Sequence, residues 1–232
     1  MFANRFRAIL LPALERLGWS ARFGESELEG QLRGDLIAVL GTLGEDKASQ
    51  ERARGLHAQF EREPVSVDRN LVPALVTVVA HTGAEADYEH FYSRFKNAQT
   101  PQEEQRYLFA LANFRRPNLI ERTLRLTVNG EVRTQNAPYL MRNLLLNKDA
   151  RNSAWLFLKA HWEDMVRQYP DNSIPRMCEG LIGLVMPDLE ADVRNFFASH
   201  PVKQGAKQME QHLERLRIAV ACKQRWHFLL RG

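Results

Sequence analysis

Apolar residues recur three and four positions apart along nearly the whole chain, which is the period of an amphipathic helix. One such stripe consists of Leu28, Leu32, Leu36, Ile37 and Leu40, and another of Trp155, Leu158, Trp162, Met165 and Tyr169. Charged residues at Lys159, Glu163 and Arg167 keep the opposite side of the second stripe polar. No segment alternates as a strand would. We therefore expect an all-α chain of about a dozen helices, which bury their stripes pairwise as in helical-repeat solenoids.

Helix starts are predicted where a capping side chain precedes an apolar stripe. The predicted caps are Ser26, Asp46, Thr100, Asn136 and Asp149, and Gly18 is the predicted end of the first helix. Ser26 and Thr100 each have a glutamate three residues later, which is the capping-box pattern. The helix capped by Asp149 should continue to Tyr169, and a short apolar helix should run from Ser173 to Met186. No consensus of fixed length recurs, so the sequence does not identify a tetratricopeptide, ankyrin or HEAT array.

The composition agrees with a globular all-α protein and argues against a membrane protein. The 232 residues are 44% apolar and 26% charged, as in an ordinary soluble protein of one domain or two small ones. The formal charge is +4. No apolar run reaches the roughly 18 residues of a membrane helix, and Glu15 directly follows the apolar run near the N-terminus, so we expect neither a membrane span nor a signal peptide.

Basic residues outnumber acidic ones towards the C-terminus, from Lys203 to Arg231, but they lack the interleaved aromatics of a nucleic-acid site. A solvated amphipathic face is the favoured interpretation, and nucleic-acid binding by the last helix is a weaker alternative. Cys178 and Cys222 both lie in apolar helical contexts, where buried thiols are expected. So few cysteines are typical of a reducing compartment, and we expect a cytoplasmic protein.

Candidate chemistry is scarce. None of the seven histidines has a second histidine four residues away with a glutamate beside it, as a zinc helix requires, and His161 with Glu163 and Asp164 is the nearest approach to a metal cluster. Gly41 with Gly44, and Gly180 with Gly183, lack the lysine of a phosphate loop and are expected to end helices or permit close packing. The acid pairs Glu25 with Glu27 and Glu103 with Glu104 are expected to be solvated helix starts. The sequence thus assigns no catalytic, cofactor-binding or metal-binding residue.

Five short segments carry a family resemblance. They are LGW at Leu17–Trp19, LRG at Leu32–Gly34, VRTQN at Val132–Asn136, the tryptophans of Ala154–Trp162, and FFASHP at Phe196–Pro201. In this order they resemble the C-terminal helical domain of the puromycin-sensitive aminopeptidase group, within the aminopeptidase N family of zinc gluzincins. The resemblance extends over nearly the whole chain.

This resemblance implies a fold and a role. The fold would be a right-handed α-α superhelix of stacked antiparallel helix pairs, HEAT/armadillo-like, forming a single domain over residues 1–232. The family's catalytic domain holds zinc with HExxH and binds the substrate amino terminus with GxMEN, and both motifs are absent from this chain. The resemblance therefore implies a non-catalytic C-terminal domain with no cofactor of its own, whose parent carries zinc elsewhere and removes N-terminal residues from peptides.

In such a protein this domain caps the catalytic cleft and shapes the chamber for the peptide, so the expected partners are the parent's catalytic domain and peptide substrates. Some family members present a basic side chain to the peptide C-terminus. Arg115, Arg116 and Arg142 are candidates for that role, although no local motif selects one of them. The alternative is a free-standing helical-repeat scaffold that binds a protein or peptide.

Overall fold

The structure, a computed structural model, describes residues 2–229 and the side chains of residues 2–226. The described residues form thirteen α-helices and no strand, which confirms the all-α prediction. The helices are α1 Phe2–Leu17, α2 Glu27–Gly41, α3 Lys47–Arg62, α4 Val72–Thr82, α5 Glu85–Lys96, α6 Pro101–Ala110, α7 Pro117–Leu126, α8 Ala137–Leu146, α9 Arg151–Ala160, α10 Trp162–Gln168, α11 Ile174–Cys178, α12 Pro187–Ser199 and α13 Ala206–Leu229. Short 3₁₀ helices cover Pro64–Ser66, Leu111–Asn113, Asp171–Ser173 and Glu179–Gly183. No described helix combines the length and apolar character that crossing a bilayer needs.

The chain divides into two compact units. The first unit ends at Phe114 and the second begins at Arg115, and the prediction of one domain over residues 1–232 remains a prediction. In the first unit α1 packs on α2, α2 packs on α3 and α4, and α5 packs on α6. Helix α4 is almost entirely apolar and lies at the centre of this unit, where it contacts α2, α3 and α6.

The second unit is built around α8. This helix contacts α9, α11 and the 3₁₀ segment Glu179–Gly183, and that segment also contacts α13. The core of the unit includes the buried residues Leu140, Met141, Leu144, Leu145, Trp155, Leu158, Met165, Met177, Leu181 and Leu216. Up to residue 226, where the described side chains end, Val220 is the last buried position of α13, and residues 221–226 are all exposed.

Three predicted N-caps are confirmed. The Ser26 hydroxyl accepts from the Glu29 amide at 3.3 Å, and the Glu29 carboxylate accepts from the Ser26 amide at 2.9 Å, which completes the capping box. Asp46 accepts from the Ser49 amide at 2.8 Å. Thr100 accepts from the Glu103 amide at 3.2 Å, but the Glu103 carboxylate accepts from the Gln99 amide, one residue before the cap. Gly18 ends α1 with a positive φ of 74°, as predicted.

Two predicted caps are wrong. Asn136 already has a helical backbone, with φ −99° and ψ −30°, and its side chain makes no capping bond. The Asp149 carboxylate accepts instead from Arg115 Nε at 2.6 Å, and α9 starts later, at Arg151. The helix expected to reach Tyr169 is also interrupted at His161, whose ψ of 17° departs from helical geometry.

The single helix predicted from Ser173 to Met186 is in fact α11 followed by a 3₁₀ segment, because this stretch presses its backbone onto α8. A Cβ atom on Gly180 would lie 2.7 Å from the Arg142 carbonyl oxygen, and one on Gly183 would lie 2.2 Å from that of Leu145. Only glycine allows so close an approach. The expectation that these glycines permit close packing is confirmed.

The two cysteines differ in their surroundings. Cys178 is fully buried in α11, and its burial raises the pKa of its thiol. Cys222 is exposed on α13, so the prediction of a buried thiol is wrong there. It lies in the run of exposed residues 221–226 that follows Val220.

Candidate functional site

The three arginines proposed as peptide contacts all lie in the second unit, in different surroundings. Arg115 pairs with Asp149. Arg142 donates from a terminal nitrogen to Glu179 at 3.0 Å and lies over the Tyr139 ring, 5.3 Å from its centroid. Arg116 is exposed at the start of α7. Two of the three guanidinium groups are thus already held by carboxylates.

In the first unit, Arg33 connects two of the segments that carry the family resemblance. Its side chain, on α2, is completely buried, and Nε donates to the Gly18 carbonyl at 2.9 Å. A terminal nitrogen donates to the Leu17 carbonyl at 3.4 Å. The arginine of the LRG segment therefore joins α2 to the end of α1, where the LGW segment lies.

The Glu25 carboxylate also binds Arg33. Both terminal nitrogens of Arg33 bond to Glu25, one of them at 2.7 Å, and Asp68 lies 3.9 Å away. The hydrogen bond from Arg33 is the main reason why the pKa of Glu25 is lowered. The Glu25 side chain is only 9% exposed, so the expectation of a solvated acid is wrong. A planar guanidinium is suited to this role because it can serve a carboxylate and a carbonyl at once.

A second polar cluster of the first unit centres on Glu61 of α3. Its carboxylate accepts from the Tyr107 hydroxyl at 2.7 Å and from Arg94, and His90 Nε2 lies 3.3 Å away. Arg94 also bonds to Glu103, which corrects the expectation that Glu103 is solvated. The cluster joins α3, α5 and α6 by charge-assisted hydrogen bonds.

His57 lies at the edge of this cluster. Its ring is buried, and its Nε2, 3.6 Å from Glu61, makes no hydrogen bond. Burial lowers the pKa of His57, and the nearby charge of Glu61 opposes this effect only in part. The ring is therefore held in its neutral form.

In the second unit, Trp155 connects two further segments of the resemblance. Its indole Nε1 donates to Asp192 Oδ2 at 2.6 Å, and Lys159 donates to the same oxygen at 2.6 Å. These two hydrogen bonds, with that from Lys159 first, lower the pKa of Asp192. The carboxylate lies on α12, so this contact ties α9 to the helix that carries FFASHP.

Aromatic packing reinforces that tie. Phe196 and Phe197 pack against both Trp155 and Trp162, with ring centroids 5.4 to 6.2 Å apart and mostly edge-to-face. His200 stacks on Phe196 at 4.1 Å, and its Nδ1 lies 2.9 Å from the Phe196 carbonyl oxygen. Such pairs add roughly 0.5 to 1.5 kcal/mol each beyond the area that they bury.

A cavity of about 210 Å³ lies beside this aromatic cluster. It is bounded by α10, by the 3₁₀ segment Asp171–Ser173 and by residues 199–204, which include the last residue of α12 and the stretch after it. Its wall contains both apolar and charged side chains. Residues 199–201 of this wall belong to the FFASHP segment.

Metal chemistry has no support within residues 2–226. No three histidine, cysteine or acidic side chains in this range come together so as to hold a metal ion. His161 lies 3.7 Å from Asp164, but Asp164 also pairs with Arg167. The side chains of residues 2–226 therefore do not form a zinc centre.

The sequence did not predict the hydrogen bonds of Arg33 or those between Trp155 and Asp192, which we call the Arg33 anchor and the Trp155 anchor. For Arg33, the sequence does contain one indication. Arg33 precedes Ile37 and Leu40 by four and seven residues, so a charged residue stood on the buried face of α2. Leu28 and Leu32, which were expected inside, are exposed. For Asp192 we find no comparable signal, because its partners are more than thirty residues away in sequence.

Comparison with known proteins tests the family resemblance. The profile of the family described as "ERAP1-like C-terminal domain" matches residues 1–218. Aminopeptidase M1-D of Oryza sativa subsp. japonica is 26% identical over 232 aligned residues, covering 98% of this chain and 26% of that protein. Aminopeptidase M1 of Arabidopsis thaliana is 28% identical over 225, covering 92% and 25%.

Glutamyl aminopeptidase of Homo sapiens is 24% identical over 221 aligned residues, covering 92% of this chain and 23% of that protein. The chain thus spans about a quarter of the length of these curated relatives. The resemblance to the aminopeptidase N family is confirmed. With a match that covers most of its length, the chain belongs to the ERAP1-like C-terminal domain family.

Proposed function

We propose that this chain is the non-catalytic C-terminal domain of a zinc-dependent aminopeptidase, and that it caps the catalytic cleft and shapes the chamber in which the peptide lies. The observation that carries the proposal is the family match over residues 1–218, together with relatives that are named aminopeptidases and are about four times as long. The parent protein would remove N-terminal residues from peptides in the cytoplasm. Its zinc would be held by the catalytic domain.

The chemistry of the described residues supports a role in binding and positioning. Their polar clusters join helices to one another, as Arg33 joins α2 to α1 and Asp192 joins α12 to α9. Helices fixed in this way form stiff walls on which contacts with a substrate can be placed. Arg116 is exposed and, among the described residues, lacks the carboxylate partner that Arg115 and Arg142 have, so it is the best placed of the three arginines to contact a peptide carboxylate.

The complete open reading frame tests the proposal first. We expect HExxH and GxMEN upstream of these residues. The encoded protein should then be compared with a version that lacks this domain, using a single aminoacyl chromogenic substrate and peptides of increasing length. Loss of the domain should lower kcat/KM for the peptides more than for the small substrate, because only the peptides reach the chamber wall.

The isolated chain supplied with zinc is the matched control, and it should not turn over either substrate. A metal-dependent rate that stays with the chain through several columns would contradict the proposal. A reading frame without a catalytic domain would also contradict it, and would favour the free-standing scaffold.

A further inference from the structure

The cavity beside the aromatic cluster combines an apolar floor with charges of both signs. Its lining residues are Trp162, Glu163, Val166, Asp171, Ile174, Ser199, His200, Pro201, Val202, Lys203 and Gln204. Trp162 is only 5% exposed and Ile174 only 2%, so these two side chains form a floor that the core holds in place. The charged residues lie in the exposed part of the wall.

Three of these charged side chains have no bonding partner among the described residues. Glu163, Asp171 and Lys203 make no ion pair and no side-chain hydrogen bond with any residue in the described part of the chain. His200 differs, because its Nδ1 lies within hydrogen-bond distance of Phe196 and Ser199. Two carboxylates and one ammonium group therefore surround a small cavity without neutralising one another.

We propose that this cavity binds a free α-amino acid with a large apolar side chain. The ligand's ammonium group would bond to Glu163 and Asp171, and its carboxylate to Lys203. Its side chain would pack against Trp162 and Ile174. A zwitterion matches this arrangement because both of its charges gain a partner, whereas a ligand of one sign leaves the opposite group of the wall unpaired.

The volume supports a ligand of this size. About 210 Å³ is below the roughly 300 to 1,000 Å³ of pockets for drug-sized ligands, so the cavity suits one residue better than a peptide. The biological meaning rests on the proposed function, because free amino acids are what an aminopeptidase releases. The domain would then carry a site that responds to product concentration.

Calorimetric titration of the 232-residue chain with L-leucine tests the proposal. We expect saturable binding with one ligand per chain. N-acetyl-leucine lacks the ammonium group, leucinamide lacks the carboxylate and glycine lacks the side chain, so each should bind at least about tenfold more weakly. Equal binding of N-acetyl-leucine would overturn the proposal in favour of a peptide C-terminus, and equal binding of leucinamide would overturn it in favour of a simple amine.

Substitutions on the exposed wall locate the site without disturbing the core. Lys203→Met and Glu163→Gln should each weaken leucine binding about tenfold, since each removes one charge-assisted hydrogen bond. Lys207→Met, which removes an exposed basic residue outside the cavity, should leave leucine binding unchanged. No heat of binding up to about 50 mM leucine, or equal affinities for Lys203→Met and Lys207→Met, would overturn the proposal.

These measurements need no peptidase activity. A failure to bind leucine therefore leaves the proposed aminopeptidase role intact, and a failure of that role leaves the binding result unaffected.

Discussion

The two units hold their family segments together by different chemistry. In the first unit a fully buried guanidinium bonds to a carboxylate and to two backbone carbonyls, and it has no aromatic partner among the described contacts. In the second unit a buried indole makes one hydrogen bond and packs against two phenylalanines. The Arg33 anchor thus depends on charge and bond geometry, whereas the Trp155 anchor depends mainly on buried area and shape.

This difference determines how each anchor tolerates change. Charged groups removed from water need every partner in place, because a buried group that loses its partner keeps its desolvation cost. An aromatic cluster loses stability in proportion to the atoms removed. The first unit should therefore be sensitive to the identity of the side chain, and the second to its size.

The largest effect should come from Trp155→Ala in the second unit. Removing a fully buried indole should lower the free energy of unfolding by about 3 to 5 kcal/mol. Trp155→Phe keeps most of the ring packing and loses the hydrogen bond to Asp192, so it should cost about 1 to 2 kcal/mol. Urea denaturation of both variants measures this ratio, and equal losses would show that the hydrogen bond, and not the ring, holds the second unit.

A smaller loss is expected for Arg33→Met in the first unit. The thioether side chain resembles arginine in length but leaves the Leu17 and Gly18 carbonyls without their donor, at a cost of about 2 to 3 kcal/mol. It also leaves the Glu25 carboxylate without its arginine partner. Arg62→Met, at an exposed position of α3, should change stability by less than about 0.5 kcal/mol. If Arg33→Met were as mild as its control, the first anchor would be a packing contact like the second.

Two glycines, one from each unit, should respond in opposite ways to substitution by alanine. Gly183→Ala should cost about 1 to 3 kcal/mol, because its Cβ would lie 2.2 Å from a backbone oxygen of α8. Gly55→Ala in α3 has no atom within 4 Å of the new Cβ and should gain about 0.5 to 1 kcal/mol of helix propensity. Thermal melting followed by circular dichroism should show shifts of opposite sign. Shifts of the same sign would contradict the close packing of residues 179–183 on α8.

The smallest effect should be a pH dependence shared by both units. Burial lowers the pKa of His57 in the first unit and of His212 in the second, from an ordinary value of 6.5. Below pH 6.5 the unfolded chain then binds more protons than the folded one. The contribution of the two neutral histidines to the free energy of unfolding is therefore fully present above pH 6.5, and it is lost as the pH falls towards their pKa values in the folded chain. The loss is at most about 1.4 kcal/mol per pH unit for each histidine.

His57→Phe and His212→Phe assign this loss to a unit. Each variant keeps a ring that cannot be charged, and each should flatten part of the dependence measured by denaturation between pH 7.5 and pH 5.5. Neither histidine would be responsible if both variants kept the slope of the unsubstituted chain.

The sequence predicted helix starts correctly where the capping side chain and the amide that it binds are close together in the chain. Ser26, Asp46 and Thr100 cap their helices by bonding to an amide three residues ahead, and the sequence contains both members of each pair. Asp149 has the same capping capacity but is taken by Arg115, 34 residues earlier. Single-sequence reasoning has no access to that competition.

The same limit applies to the anchors and the cavity. The cavity brings together residues of α10 and residues 199–204, and no pattern within either stretch indicates the other. Arg33 was detectable only as a charge on an apolar face, and its carbonyl partners at Leu17 and Gly18 have no sequence signature at all. The broken helix after Ser173 follows from contact with α8 and not from its own propensity.

The contrast between the two cysteines has a practical consequence. Because Cys178 is enclosed and Cys222 is open to solvent on α13, a maleimide dye should attach at one position without any engineering of the chain. A fluorophore placed there would sit on the stretch of α13 that lies past the core. Its anisotropy would then report directly when another macromolecule covers the end of that helix.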